Sequence, residues 1–135
     1  MFDTKIVIVV RDDLATWQKL NVTAFLTSGL VGGAQDLIGE AYEDASGQGY
    51  RALMIQPIIV LSTDSAGLSK IHRRALDRGT VLAIYIEEMF ATGHDAANRA
   101  AVKAVPTDQL NLVGLALHDE KKTVDKITKG AKMHA

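Results

Sequence analysis

A run of five apolar residues near the start of the chain, Ile-Val-Ile-Val-Val at positions 6–10, constrains the fold most strongly. All five side chains are β-branched, which favours a strand, and Arg11, Asp12 and Asp13 end the run abruptly. Because neither face of this strand would carry a polar side chain, we expect it to be buried on both faces. Residues 5–10 are therefore predicted to form the central strand of a sheet that helices cover.

The rest of the chain alternates between strand and helix patterns, with apolar residues spaced by three or four in the helices and β-branched residues clustered in the strands. The predicted helices span residues 13–29, 65–78, 94–105 and 119–129, and the further strands span residues 40–43, 50–61, 80–86 and 110–117. This βαββαβαβα order predicts one α/β domain over residues 1–135, with a mixed β-sheet flanked by helices.

Capping and breaking residues mark several of these boundaries. The predicted N-caps of the first three helices are Asp13 or Thr16, Thr63 or Asp64, and Asp95. Gly79 and Gly130 are positioned to end the second and fourth helices. Pro57 cannot donate a ladder hydrogen bond, so it predicts an edge, a bulge or a break in the strand over residues 50–61.

Composition excludes several kinds of function. The chain has no cysteine, which excludes disulfides, thiolate catalysis, thiolate-bound zinc and iron–sulfur clusters. Its net charge is −1, so the protein as a whole does not attract phosphate, and contact with tRNA would need a local basic patch. No apolar run is long enough for a membrane span, so we expect a cytoplasmic protein without a membrane partner.

Association of two chains is also expected. Hydrophobic residues make up 47% of the chain although aromatic residues are few, which leaves apolar surface that a small domain does not cover alone. We therefore predict a homodimer. The single tryptophan, Trp17, is expected in the core or at an interface.

Charged residues follow the first strand directly. Arg11 and Asp13 lie at its carboxyl end, the edge where open α/β sheets commonly bind ligands. Lys19 comes about two turns into the next helix. Together these groups could hold an anionic group or orient a water molecule. The alternative is that Arg11 and Asp13 pair with each other and cap the helix.

A second group of polar residues follows the strand predicted over residues 80–86. Glu87 and Glu88 end it, and only one of them can face a given pocket because neighbouring strand residues point to opposite faces. His94 follows, with Thr92 and Asn98 beside it. A glutamate and a histidine there could act as a general base and its orienting partner, or as two ligands of a divalent metal. His94 could instead pack at the start of the helix.

We expect one cleft to hold Arg11, Asp13, Lys19, His94 and one of the two glutamates, with Thr92 and Asn98 as further ligand-binding residues. The carboxyl ends of strands that share a direction meet at one rim, which would bring these residues together. No metal-binding motif occurs in the sequence, so we predict no metal site and no cofactor.

Several segments resemble type 2 peptidyl-tRNA hydrolases. KIVIVVRDDL (residues 5–14) and the following helix with Lys19 resemble the opening of that family, and TVLAIYI (residues 80–86) and LVGLALHDEKKTVDKITKGAKM (residues 112–133) resemble its last two strands and closing helix. With EEMFATGHDAANRAAV (residues 87–102) included, nearly the whole chain resembles the family called domain of unknown function 2000, a relative of those hydrolases. The resemblance implies a type 2 peptidyl-tRNA hydrolase-like fold and an acylated substrate such as peptidyl-tRNA.

The chain departs from the hydrolases in two motifs. They carry a Lys-x-Lys pair at the first helix, where this chain has Gln18, Lys19 and Leu20. Their penultimate strand continues into Asp-Ala-Gly-Arg-Thr, where this chain has Glu87 and Glu88 without the Gly-Arg-Thr that follows. The resemblance therefore implies the fold more firmly than the activity.

Two functions follow from these residues. In the first, the protein hydrolyses an acyl ester or related bond, with Lys19 or Arg11 holding an anionic group and Glu87 or Glu88 activating water. The alternative is a non-catalytic domain that binds a small ligand or a partner and has lost the hydrolase activity.

Overall fold

A computed structural model describes residues 2–135, which form strands and helices in alternation. The strands are β1 (Thr4–Arg11), β2 (Tyr42–Glu43), β3 (Gly49–Tyr50), β4 (Ile58–Thr63), β5 (Ala83–Ile86), β6 (Leu112–Glu120) and β7 (Lys132–Met133). The helices are α1 (Thr16–Gly33), α2 (Ser65–Asp77), α3 (Asp95–Lys103) and α4 (Lys121–Ile127), with 3₁₀ turns at Gln35–Leu37, Glu87–Ala91 and Thr107–Gln109.

The main sheet has five strands in the order β5-β6-β1-β4-β7, so the apolar first strand is central as predicted. β1 runs parallel to β4 and antiparallel to β6. β5 is antiparallel to β6, and it therefore runs in the same direction as β1. β2 and β3 form a separate two-stranded sheet. The mixed α/β sheet that the sequence predicted is confirmed.

Alternate residues of β1 supply two hydrophobic cores. Val7 and Val9 pack on one face with buried residues of α2 and α4, whereas Ile6, Ile8 and Val10 pack on the other face with α1. All five are at most 1% exposed. Each such side chain contributes about 1.5–3 kcal/mol when it is fully buried, so β1 holds both layers of the fold together.

The close approach of α1 to the sheet depends on Gly114 in β6. A Cβ at this position would lie 2.7 Å from Val22 Cγ1 and 3.1 Å from Leu26 Cδ1, both on α1. It would also lie 3.2 Å from the carbonyl oxygen of Val9. The missing side chain therefore sets how closely α1 packs over β1 and β6.

The segment between α1 and α2 differs from the prediction. The strand expected over residues 50–61 is divided into β3 and β4, and Pro57 lies directly before β4. The break is one of the outcomes that Pro57 predicts, since its nitrogen has no hydrogen to donate to a ladder. The last short strand, β7, was not predicted, and it pairs with β4 over two residues.

Several predicted boundaries are wrong by a few residues. The first helix continues to Gly33 rather than ending near residue 29, and its N-cap is Ala15, whose N–H donates to Gln18 Oε1 at 2.9 Å. Asp95 does not cap α3, since its N-cap is His94. For α2, Asp64 is the N-cap and its Oδ1 accepts from the N–H of Gly67 at 2.8 Å, as predicted.

The strand predicted over residues 80–86 is shorter than expected and lies at the edge of the sheet. It begins only at Ala83, and β6 is its single neighbour. The side chains of β5 are shielded by α1 and by the 3₁₀ turn Glu87–Ala91 rather than by strands on both sides, and this explains the apolar sequence of β5. Among the described residues, no helix combines the length and apolar character needed to cross a membrane.

Candidate functional site

Three strands end at the same rim of the sheet. β1, β4 and β5 share one direction, so their last residues lie at the same rim. These residues are Arg11, Thr63 and Ile86. The antiparallel strand β6 begins at this rim, directly after Asn111. The rim therefore collects the polar residues that follow β1 and β5 and the one that precedes β6.

The Arg11 guanidinium connects these segments. Its Nε donates to Asp13 Oδ1 at 2.6 Å, its Nη2 donates to Glu87 Oε1 at 2.6 Å, and its Nη1 donates to Asn111 Oδ1 at 3.3 Å. Asn111 Nδ2 in turn donates to Glu87 Oε2 at 3.1 Å. Arg11 is only 8% exposed, so its charge is compensated within the protein by two carboxylates. We call Arg11, Asp13, Glu87 and Asn111 the rim network.

The rim network also sets the protonation state of its glutamate. The hydrogen bond from Arg11 lowers the pKa of the Glu87 carboxyl. Burial raises this pKa by a smaller amount, and the charge of Arg11 and the hydrogen bond from Asn111 lower it further. Glu87 is therefore ionised at neutral pH. An ionised carboxylate whose pKa is lowered and whose two oxygens already accept hydrogen bonds is a weak general base.

A cavity of about 830 Å³ lies beside the rim network, between α1, β5 and α3. The residues that line it come from α1, from β5 and the 3₁₀ turn after it, and from α3 with the loop before it. They include Trp17, Asn21, Phe25, Tyr85, Phe90, Thr92, His94, Asp95, Asn98, Arg99 and Lys103. We call this space the β5 cavity.

Aromatic side chains form one wall of the β5 cavity. Of the chain's one tryptophan, three phenylalanines and three tyrosines, four residues line it. Trp17 meets Phe90 edge to face with 5.8 Å between ring centroids, and Tyr85 lies 5.3 Å from Phe90 and 5.8 Å from Phe25. Trp17 is 59% exposed and Phe25 is 52% exposed. Trp17 is thus not a core residue, contrary to one of the two expectations for it.

Polar side chains also line the cavity. The hydroxyl of Thr92 lies 2.9 Å from the carbonyl oxygen of Met89 and also hydrogen-bonds to Asn98 Oδ1. His94 Nδ1 accepts from the N–H of Ala97 at 3.2 Å and so caps α3. Because Nδ1 is the acceptor, the neutral ring carries its hydrogen on Nε2 and can donate a hydrogen bond from there.

The Tyr85 hydroxyl is open to the cavity. Tyr85 is 5% exposed, and its hydroxyl has no hydrogen-bond partner within residues 2–135. No buried side-chain nitrogen or oxygen in this part of the chain is sealed off without a partner, so the hydroxyl must reach open space, and the space that Tyr85 lines is the cavity. Burial raises the pKa of this hydroxyl, which keeps it a neutral donor.

The single cleft expected from the sequence is divided in two. Arg11, Asp13 and Glu87 belong to the rim network, and Thr92, His94 and Asn98 line the β5 cavity. Of the two glutamates, Glu87 faces Arg11, and Glu88 belongs to neither group. Lys19 also lies outside both, on a partly buried position of α1. The rim and the cavity adjoin through the 3₁₀ turn Glu87–Ala91.

Sequence reasoning missed Asn111 and the aromatic wall. Asn111 precedes a long buried strand, and a polar residue at that position gives no indication of its partners before the sheet order is known. Trp17, Phe25, Tyr85 and Phe90 come from two distant segments, and their concentration in an aromatic-poor chain was the only signal available. Within residues 2–135, no three His, Asp or Glu side chains are grouped so that they could hold a metal ion.

Comparison with known proteins identifies one family. The model of a family described as "protein of unknown function (DUF2000)" matches residues 4–135. A solved structure of a protein of unknown function from Agrobacterium tumefaciens strain C58 is similar over 100% of both chains, with 58% sequence identity and a TM-score of 0.98. No curated protein shows a significant match. The relation to type 2 peptidyl-tRNA hydrolases rests on the sequence resemblance alone.

Proposed function

The chain belongs to the DUF2000 family, and we propose that it is a small-molecule-binding protein whose ligand occupies the β5 cavity. The observation that carries the proposal is the lining of that cavity, which combines four aromatic residues with several polar side chains. Ligand sites in proteins are usually concave and apolar, with a few polar groups that fix orientation. Their volumes run from about 300 to 1,000 Å³, and the β5 cavity of about 830 Å³ lies within that range.

Exposure of the aromatic wall supports a binding role. Trp17 and Phe25 leave more than half of their surface open to solvent, although the chain has few aromatic residues to bury. Water-exposed apolar surface costs about 25 cal/mol per Å² relative to burial. A ligand that covers these rings would recover part of that free energy.

The geometry supports binding more than hydrolysis. Glu87 is occupied by Arg11 and Asn111, and its lowered pKa makes it a weak base. His94 would have to give up its capping bond to accept a proton at Nδ1. Lys19, one of the two residues that the hydrolase hypothesis assigns to an anionic group, does not line the cavity. We therefore place the hydrolase second.

Binding can be tested with the protein's own fluorescence, because Trp17 is the sole tryptophan and lines the cavity. The probes are naphthalene rings bearing a carboxylate, an amide or an aminomethyl group, titrated one at a time. We expect at least one probe to shift Trp17 emission saturably, with one molecule bound per chain. Protein-observed NMR should place the same probe next to residues of α1, β5 and α3.

A matched pair of variants on α1 separates the cavity from the rest of the surface. Asn21→Phe introduces a large ring into the lining, whereas Ala24→Phe introduces it at an exposed position outside the cavity. The first should abolish saturable binding and the second should leave it intact. No saturable binding by any probe, or equal binding by both variants, would overturn the proposal.

The hydrolase alternative has a direct assay. Purified protein should release no peptide from peptidyl-tRNA above the uncatalysed rate. Turnover that disappears on Lys19→Met but survives Ala24→Phe would establish hydrolysis and move the binding role to second place.

A further inference from the structure

The arrangement of hydrogen-bonding groups in the β5 cavity narrows the chemistry of the ligand. We propose that the ligand is an aromatic or similarly flat apolar anion, such as a ring carboxylate, whose negative group is held by donors on α3 and β5. The inference rests on the proposed function, since it concerns the same cavity.

Three side-chain acceptors on the α3 side of the cavity already take a hydrogen bond or an ion pair within the protein. The Thr92 hydroxyl hydrogen-bonds to the amide oxygen of Asn98. The carboxylate of Asp95 is paired with Arg99, one turn further along α3. His94 Nδ1 accepts from the N–H of Ala97. A ligand donor on the α3 side would compete with these internal contacts, whereas the Asn21 amide on α1 can both donate and accept.

Donors remain open at the same site. The Tyr85 hydroxyl has no partner within residues 2–135 and reaches the cavity. Arg99 uses Nη1 for Asp95, and a guanidinium has five N–H groups, so others are left for a ligand. The neutral His94 ring carries a donor at Nε2. A ligand group that supplies acceptors matches these donors.

The charged side chains of the cavity also favour an anionic ligand. Asp95 is the one acidic residue in the lining, against Arg99 and Lys103. Lys103 forms no ion pair with any of residues 2–135. The cavity is therefore locally positive although the chain has a net charge of −1. This local excess of positive charge attracts an anion. It disfavours a cation, because Asp95, the only acidic residue of the lining within residues 2–135, is already paired.

The ring and the anionic group of the ligand would lie along α3. Phe90, which meets Trp17, precedes the start of α3 by a few residues, so the aromatic wall begins at that end of the cavity. Arg99 and Lys103 follow at positions one and two turns beyond Asp95, which is about 6 and 12 Å along the helix axis. A flat ring at the wall can therefore carry its anionic group toward these two cations.

The test compares 2-naphthoate, 2-naphthamide and 2-naphthylmethylammonium, which share one ring and differ in charge. Their dissociation constants are measured from Trp17 fluorescence with the full chain. We expect 2-naphthoate to bind most tightly and the ammonium probe most weakly. Added salt should weaken the binding of 2-naphthoate and leave that of 2-naphthamide nearly unchanged.

Two charge changes of opposite sign sharpen the test. Lys103→Gln should weaken 2-naphthoate binding about three- to tenfold, the range for an exposed or partly buried charge-assisted contact. Asp95→Asn should strengthen it, because the change removes the acid that competes for Arg99. Lys70→Gln on α2 is the matched control, an exposed lysine outside the cavity. None of the three variants should change the dissociation constant of 2-naphthamide by as much as about twofold.

The outcomes separate this inference from the proposed function. Equal affinity for the three probes, or equal losses for naphthoate and naphthamide in Lys103→Gln, would overturn the anion preference while the cavity remained a binding site. Absence of saturable binding by all three probes would overturn the proposed function itself.

Discussion

Arg11 Nη2 donates to Glu87 Oε1 at 2.6 Å, which ties the end of β1 to the turn that follows β5. The two residues are far apart in sequence, and β6 lies between their strands in the sheet. The turn that Glu87 begins also carries Phe90, a wall of the β5 cavity. The ion pair thus holds the cavity wall against the sheet, whatever ligand the cavity takes.

The two adjacent glutamates should differ in their effect on stability. Glu87→Gln removes the charge that pairs with the buried Arg11, and it should lower the free energy of unfolding by about 1 kcal/mol at neutral pH, the upper part of the range for a half-exposed pair. Glu88→Gln is the matched control, since Glu88 lies outside the rim network. Urea denaturation of both variants measures the difference, and equal losses would contradict the role assigned to Glu87.

The same pair predicts a pH dependence. The pKa of Glu87 is lowered in the folded protein by its hydrogen bond with Arg11. Its contribution is therefore fully present above the ordinary value of 4.5 and is lost as the pH falls through the lowered folded value. The stability difference between the wild type and Glu87→Gln should shrink in that acidic window. A difference that stayed constant down to about pH 2 would show that the charge does not act through this equilibrium.

Two glycines, Gly114 packed between β6 and α1 and Gly32 on the open surface of α1, should respond in opposite ways to substitution by alanine. Gly114→Ala forces a Cβ to 2.7 Å from Val22 Cγ1 and should cost about 1–3 kcal/mol through overpacking. A Cβ at Gly32, near the end of α1, meets nothing within 4 Å. Gly32→Ala should therefore stabilise the helix by about 0.5–1 kcal/mol. Thermal unfolding checks both, and a neutral Gly114→Ala would mean that α1 can shift away from β6.

His94 has a capping role that can be separated from any role in the cavity. His94→Asn keeps a good N-cap on α3, whereas His94→Ala removes the side-chain acceptor for Ala97 and should cost about 0.5–2 kcal/mol. Hydrogen exchange of the first amides of α3 should rise in the alanine variant alone. If ligand binding falls equally in both variants, the imidazole itself contacts the ligand rather than acting through the helix.

The homodimer remains a prediction from the sequence. Several large apolar side chains are exposed, and Val81, two residues before β5, is 88% exposed. Such surface favours association when it is contiguous. Light scattering at micromolar concentration should give about twice the chain mass of 14.5 kDa, and a value near the single-chain mass would contradict the prediction.

Much of the fold could be read from local patterns. The β-branched run of β1 indicated a strand buried on both faces, and Asp64 marked the start of α2 because a side-chain oxygen at that position meets a free backbone N–H. The edge position of β5 could not be read, because helices and strands shield apolar side chains equally well. The end of α1 was also missed, since glycine lowers helix stability without preventing a helix.

The candidate site was only partly predictable. Strand-end placement correctly brought Arg11 and Glu87 together, because β1 and β5 share a direction. The pairing of Arg11 with Asp13 was one of the two sequence interpretations and is confirmed. The further bonds of Arg11 to Glu87 and Asn111 were not foreseen, nor was the position of Lys19 outside the cavity. The β5 cavity depends on how closely α1 and α3 approach the edge strand, and that distance is a property of tertiary packing.

The pairing partners of β1 have a consequence for how the chain is made. Thr4, at its start, contacts Gln56, which is 52 positions away, and His118, which is 114 positions away. During synthesis β1 therefore leaves the ribosome well before β6, and its second edge is covered only after β6 is translated. Until then the nascent chain presents an unpaired apolar strand, the form most prone to aggregation and to capture by chaperones. Such distant pairing also slows folding relative to proteins with local contacts.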